Sequence, residues 1–373
     1  MTLSQVSYGK ALKKLPIEHG MLKDNAVSAE QVSMGSSSLG SLNYLVTNTR
    51  GDEAAATSLA CGVLGRTPTV GLFREVNRIV DRLLSKDVVV RLHGLAGAAD
   101  LEIIVFHDAA FQNVDDGGTQ AGQLVFLCPA GLVTQDSLES ANVIDIHGAT
   151  LFTRSNRTRR MVRSSMAGET MSASDGLDLG ITFAGMVREM APGCSVSVVL
   201  LTDCDDLYQC VHTLVPHPKE RRLRVDIIAI QEAIEQGEIK DLLWCPSHCM
   251  VADGLTKARG HRHLVQDALD GTIHIGGKSP KEVLADQEDD EALVAQWRRQ
   301  DSSHALRRQQ HSAAWHHERN SSSRSLLTAN RVFPEANDIW HPEAFLAGSL
   351  GLEPRGKPAT AFDSFSPLIL LNS

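Results

Sequence analysis

The chain has 373 residues, 42% of them hydrophobic and 22% charged, and a formal net charge of −9, which is the composition of a globular protein with room for one large domain or two moderate ones. No apolar run approaches the roughly 18 residues that cross a bilayer and the N-terminus carries no signal-peptide pattern, so an intracellular protein, cytoplasmic or nuclear and without a membrane segment, is expected. The acidic balance excludes a protein that coats nucleic acid with a uniformly basic surface and leaves local basic patches as the means of any such binding.

Residues 1–38 are polar and end in Ser36-Ser37-Ser38, the composition of an irregular connector. From Leu39 to about Lys86 apolar residues recur at helical spacing (Leu42, Leu45 and Val46, then Val76, Ile79, Val80, Leu83 and Leu84), which predicts two or more helices broken near Gly65 and Pro68. The period then changes. Leu101 to Phe106 is apolar on both faces, as in a central strand covered on both sides, and it runs into Asp108. Gln123–Cys128 and 141–153 read as two more strands, the first entered through the turn signal Asp116-Gly117-Gly118.

A helix is predicted from Ser164 or Ser165 to about Met190, although Gly168, Gly176, Gly180 and Gly185 each cost it up to about 1 kcal/mol relative to Ala. Val196–Thr202 is the strongest strand pattern and leads into Asp203. Leu223, Ile227, Ile230 and Ile234 mark an amphipathic helix stopped by Gly237; a short strand over Ile239–Cys245 and a final helix over His248–Lys257 follow. Beyond residue 260 the acidic cluster at 288–291, the Arg pairs and the serine run at 321–323 suggest a largely disordered tail. The order of elements predicts an α/β domain with a mixed sheet flanked by helices.

Alternation puts Asp108 on the strand face of Ile104 and Phe106, and Asp203 on that of Val199 and Leu201. A carboxylate at the end of a buried strand is costly unless it meets a cation, so two at equivalent ends invite a metal between them, with Glu169 and Asp253 as further ligands. Hard oxygen donors suit Mg²⁺ or Mn²⁺, and two such ions about 3.5–4 Å apart are the arrangement that hydrolyses phosphodiesters. Taken singly, each of these acids also reads as a turn or helix cap. Cys245-Pro246-Ser247-His248-Cys249 lacks the second ligand pair that a structural zinc needs.

These acids stand in words that resemble the ribonuclease H region of copia-type retrotransposon Pol polyproteins. Phe106-His107-Asp108-Ala109-Ala110-Phe111 is similar to the family's first strand-end motif, Ser164-Ser165-Met166-Ala167-Gly168-Glu169 to its Ser-Ser-x-Glu-Ala-Glu segment, and Leu200-Leu201-Thr202-Asp203 to the strand of its third acid. Ala252-Asp253-Gly254-Leu255-Thr256-Lys257 matches the closing Ala-Asp-x-Leu-Thr-Lys and is the most specific of these. Upstream, Gly40-Ser41-Leu42-Asn43-Tyr44-Leu45 and Thr49-Arg50-Gly51-Asp52 resemble words that follow the reverse transcriptase palm, which is itself absent. Ala110 replaces the family's usual second Asp, and Leu223-Arg224 replace a Lys-His.

The resemblance implies a ribonuclease H-like mixed five-stranded sheet over residues 99–260, preceded by an irregular connector (1–38) and a helical remnant of the reverse transcriptase connection (39–98), and followed by the tail (261–373). It implies Asp108, Glu169, Asp203 and Asp253 as catalytic ligands of two Mg²⁺ or Mn²⁺ ions and an RNA–DNA hybrid as substrate, with a reverse transcriptase domain supplied by the parent polyprotein. Arg154, Arg157, Arg159, Arg160 and Arg163, crowding the approach to Glu169, are the candidate phosphate contacts, and Lys219, Arg221, Arg222 and Arg224 form a second basic run. His248, just before Asp253, is a candidate accessory in proton transfer or product release. Two functions stand: a metal-dependent ribonuclease H, or a catalytically silent remnant that keeps the fold as a nucleic-acid or protein binding module.

Overall fold

A computed structural model describes residues 1–277 apart from 96–97, 115–116, 141, 214–219 and 259; the expectations for Lys219 and for the tail beyond 277 fall outside the described residues. The chain opens with β1 (Thr2–Leu3) and α1 (Val6–Lys10), followed by three longer helices, α2 (Ala29–Asn48), α3 (Ala54–Leu64) and α4 (Val70–Ser85). Ser28 caps α2 in a reciprocal capping box with Gln31, so the helix begins well inside the stretch expected to be an irregular connector. The serine run sits within α2 because Leu39, Leu42 and Leu45 just beyond it are buried in one core with residues of α3 and α4, and burial of that stripe outweighs weak helix propensity. Thr69 caps α4, whose buried stripe of Val76, Ile79, Val80 and Leu83 follows the helical period.

After β2 (Val90–Arg91), which pairs with β1, come β3 (Asp100–Ala110) and β4 (Gln120–Pro129), then a short helix α5 (Gln135–Leu138). The single strand expected over 141–153 is two strands, β5 (Ile144–His147) and β6 (Ala149–Arg157), in different sheets. They part at Gly148, where a Cβ would lie 2.1 Å from the Leu127 carbonyl oxygen, a passage open only to glycine. Then follow α6 (Ser165–Met190), β7 (Ser195–Thr202), α7 (Asp205–Val211), α8 (Leu223–Glu235) and β8 (Asp241–Trp244). A single turn, α9 (Asp253–Thr256), precedes α10 (Arg262–Leu269) and β9 (Thr272–Ile275). The last two elements occupy residues assigned from sequence to the tail, and β9 is held by antiparallel pairing to β5.

The five-stranded mixed sheet expected of a ribonuclease H-like domain is present, in the order β6-β4-β3-β7-β8. β6, β4 and β3 are antiparallel neighbours, while β3, β7 and β8 run parallel. Both faces are covered. On one, Ile103, Val105, Val198 and Leu200 meet α6 and α8; on the other, Ile104, Phe106, Val199 and Leu201 meet Met250–Leu255, α10 and residues from the N-terminal helices. The glycines that weaken α6 by propensity let it approach the sheet: a Cβ on Gly180 would lie 2.7 Å from Val198 and 3.2 Å from Val105. No helix among the described residues is long and apolar enough to cross a membrane.

Candidate functional site

Parallel pairing of β3 with β7 sets Phe106 opposite Leu201, so two residues further on Asp108 stands beside Asp203 at the carboxyl edge of both strands. Strand β3 continues past Asp108 to Ala110 instead of ending there. Glu169 enters from the first turns of α6, whose N-cap Ser164 accepts from the Ala167 N–H. One carboxylate oxygen each from Asp108, Glu169 and Asp203 all lie within 4.8 Å of one another, and this is where three or more metal-ligating side chains gather among the described residues. Asp253, at the start of α9, is not one of that trio. It is nonetheless close enough to raise no isolated question: Asp108 and Asp203 both act on its proton affinity.

Neighbouring groups hold the acids in place. The Ala109 N–H donates to Glu169 Oε1 at 3.1 Å, Ser172 Oγ donates to the Asp108 carbonyl at 3.0 Å, and Thr256 Oγ1 donates to Asp108 Oδ2. Ser247 Oγ donates to Asp203 Oδ2 at 3.0 Å. Turn α9 reaches Asp108 because Gly122, paired with Asp108 across β3 and β4, has no side chain: a Cβ there would lie 2.7 Å from Leu255 Cβ and 3.1 Å from the Ala252 carbonyl. Sequence reasoning named Asp253 and the word around it but gave no role to Thr256 or Lys257, and only three-dimensional packing turns those side chains onto the acids.

The electrostatics are those of crowded anions out of water. Burial first, then Asp108 and Asp203, push the Glu169 carboxyl well above the usual carboxylate range; burial and Asp108 do the same to Asp253 against the pull of Lys257, and raise Asp203. Glu169 Oε2 is buried without a hydrogen-bond partner. His107, fully buried beside Asp108, also leaves both ring nitrogens unpartnered, and burial pushes it down to about 4, so its ring is neutral near pH 7. An orphaned carboxylate oxygen facing two further carboxylates is an unfavourable arrangement that a divalent cation relieves, and the all-oxygen donor set has the hardness that Mg²⁺ or Mn²⁺ requires.

A pH dependence follows. Because these carboxyls hold protons more tightly in the folded state than in the unfolded chain, their stabilisation is greatest at low pH and is lost as pH rises through the raised values. His107 works in the opposite direction, but only from its ordinary 6.5 down to about 4. Above pH 6.5 His107 no longer contributes, so the Tm of the chelator-treated protein is expected to fall as pH rises from 6.5 through the raised values of the acids, and saturating Mg²⁺ to remove most of that fall. A chelator-treated Tm that rises over this interval would contradict the crowding.

The proposed phosphate contacts separate into two groups. Arg154 is turned inward by the alternation of β6: its guanidinium donates to Gln123 Oε1 at 2.9 Å and pairs with Asp175 on α6. Arg157, which lies over Gly118, and Arg159 are exposed and have partners of their own. Arg160 and Arg163 are exposed in the segment leading into α6. Ser164 Oγ donates to Glu220 Oε1 at 2.5 Å and ties this segment to the start of the second basic run, so that Arg221, Arg222 and Arg224, all exposed, continue from it. His248 lies in a single 3-10 turn, Ser247–Cys249, with its Nε2 buried and unbonded; the hydroxyl of the neighbouring Ser247 is the group in that turn that meets an acid.

No known family model matches the chain, and no curated protein matches it. Among solved structures it is similar to LC11-RNase H1 in complex with an RNA/DNA hybrid (14% identity, 41% of this chain, 93% of that one, TM-score 0.28) and to LC11-RNase H1 isolated from compost (16%, 42%, 92%, 0.28). It is also similar to the protease-reverse transcriptase of prototype foamy virus, at 11% identity over 42% of this chain and 19% of that one, with a TM-score of 0.25. Scores this low leave the functional reading to rest on the geometry of the acids.

Proposed function

We propose that this chain is a retrotransposon-derived, metal-dependent endonuclease that hydrolyses the RNA strand of RNA–DNA hybrids. The observation that carries the reading is the convergence of Asp108, Glu169 and Asp203 within 4.8 Å at one rim of the sheet, with Glu169 Oε2 buried and unbonded. A divalent cation held there by Asp108, Glu169 and Asp203 would supply positive charge to a phosphate oxygen and lower the pKa of a bound water. The chain's own residues supply the rest. Asp108 and Asp203 would hold the ion from adjacent strands, the Ala109 N–H fixes Glu169, and Thr256 and Ser247 orient one oxygen each of Asp108 and Asp203. Arg160 and Arg163, together with Arg221 and Arg222, offer exposed cations that would hold backbone phosphates without reading sequence.

A second reading has one specific observation in its favour: Asp253, the fourth acid, is ion-paired to Lys257 at 3.0 Å and stands outside the trio. A fold kept as a binding module after loss of turnover would tolerate that pairing. The test is cleavage of an end-labelled RNA–DNA hybrid by the full-length chain with Mg²⁺ or Mn²⁺. Metal-dependent shortening of the RNA strand is expected; binding of the hybrid without cleavage by the folded protein would favour the second reading.

A further inference from the structure

Asp253 and Lys257 open and close the single helical turn α9, four residues apart on one face. Lys257 Nζ lies 3.0 Å from Asp253 Oδ1, and on the other side of the same carboxylate His261 Nδ1 lies 3.5 Å from Oδ2. The aspartate side chain is 9% exposed and the lysine side chain 41%, so the ammonium reaches in from solvent to an acid that is otherwise enclosed. Although burial alone would lower it, Asp253 first, then Asp108 and Asp203, hold the Lys257 ammonium well above its ordinary range. Geometry sets this ammonium, charged as an ordinary lysine is at neutral pH, directly on the Asp253 carboxylate.

Resting on the metal-centre reading above, we propose that Lys257 is a resident cation of the acid cluster, occupying Asp253 so that divalent ions enter in two unequal steps. The first ion meets the trio already assembled by Asp108, Glu169 and Asp203. A second needs Asp253 as a ligand and so must displace Lys257. Charge favours the same order: with the ammonium present, one divalent ion leaves the four carboxylates slightly in excess, whereas two ions leave excess positive charge unless the lysine withdraws. It has a way out. The stem is partly exposed, so the ammonium can swing to water without disturbing the core. Lys257 is thus a positioning residue for Asp253 and a competitor for the second ion.

Mn²⁺ alone, titrated into the full-length protein and followed by calorimetry and by loss of the free-ion EPR signal, tests this without any turnover. Wild type is expected to bind one ion tightly and a second more weakly. Lys257→Met, which keeps the apolar stem and removes the charge, is expected to tighten the second step by about tenfold or more while leaving the first nearly unchanged. Lys257→Arg keeps a cation and is expected to retain the weak second step. If wild type binds Mn²⁺ and both of its binding constants survive in Lys257→Met, the lysine proposal is overturned while the metal centre stands. Absence of Mn²⁺ binding by folded wild type overturns both. Should Lys257→Met fail to fold, two equal tight sites in wild type or Lys257→Arg would overturn the proposal on their own.

Discussion

Asp108→Asn, in the full-length chain, is expected to reduce metal-dependent cleavage of a hybrid by about a thousandfold or more, several kcal/mol of transition-state charge stabilisation. The same substitution is expected to raise the Tm of the metal-free protein. Asp108 is the neighbour that most strongly raises the proton affinity of Glu169, Asp203 and Asp253, and neutralising it relaxes the repulsion on all three. The amide keeps an oxygen to accept from Thr256 Oγ1, so the hydrogen bond from α9 survives. Asp203→Asn is expected to behave alike. A gain in stability accompanied by loss of activity separates a functional acid from a structural one, since a carboxylate retained for folding would cost stability when neutralised. The pair of measurements is a cleavage time course and a thermal melt in chelator; full activity in either variant would remove the acids from the reaction.

Glu53→Ala is expected to destabilise the protein by up to about 3 kcal/mol, read as a change in the denaturant midpoint, because it removes the buried carboxylate that the partly buried Arg82 and Arg262 share. Glu53 is 1% exposed and accepts from both Arg82 Nε and Nη2, at 2.9 and 2.8 Å, with Arg262 Nε 3.5 Å from the same carboxylate. Beside it Arg50 makes a two-pronged pair with buried Asp52, whose Oδ2 also accepts from Gln266 at 2.9 Å. Arg262 and Gln266 belong to α10, Arg82 to α4, so this network joins the N-terminal helices to the end of the sheet domain. Replacing Glu53 and Arg82 together with methionines is expected to cost less than Glu53→Ala, since only Arg262, which keeps its bonds to the Asp52 and Ala258 carbonyls, then loses the carboxylate. An additive, larger loss in the double variant would show that the ion pair itself, and not the avoidance of an orphan, stabilises the fold. The network also makes residues 99–260 a poor unit to express alone.

Much of the sheet was legible because its signal is local. Strands β3 and β7 are apolar on both faces and run into an acid, and that pattern follows from period-2 geometry alone. The four acids were visible for the same reason, helped by the words around Glu169 and Asp253. What escaped was decided at a distance. Residues 262–275 carry a short helix and a four-residue strand whose partner, β5, lies more than a hundred positions upstream, so no local period announces them. Arg50, Asp52 and Glu53 stand in a stretch with no local sign of burial, and their burial depends on α10 closing over them. Arg154 looked like one member of an exposed basic run, yet alternation along β6 turns it toward Gln123 and Asp175. His107 gave no sign that a fully buried imidazole would sit 3.9 Å from Glu169 Oε2.

Carboxylates far apart in sequence meet at the carboxyl edge of β3 and β7, and the proposed function puts one shared divalent cation between them. Crystals of the full-length protein soaked in Mn²⁺ test it by anomalous scattering. A peak about 2.0–2.2 Å from oxygens of Asp108, Glu169 and Asp203 is the expected result. Full occupancy of Mn²⁺ elsewhere on the protein, with those three carboxylates left unliganded, would contradict it.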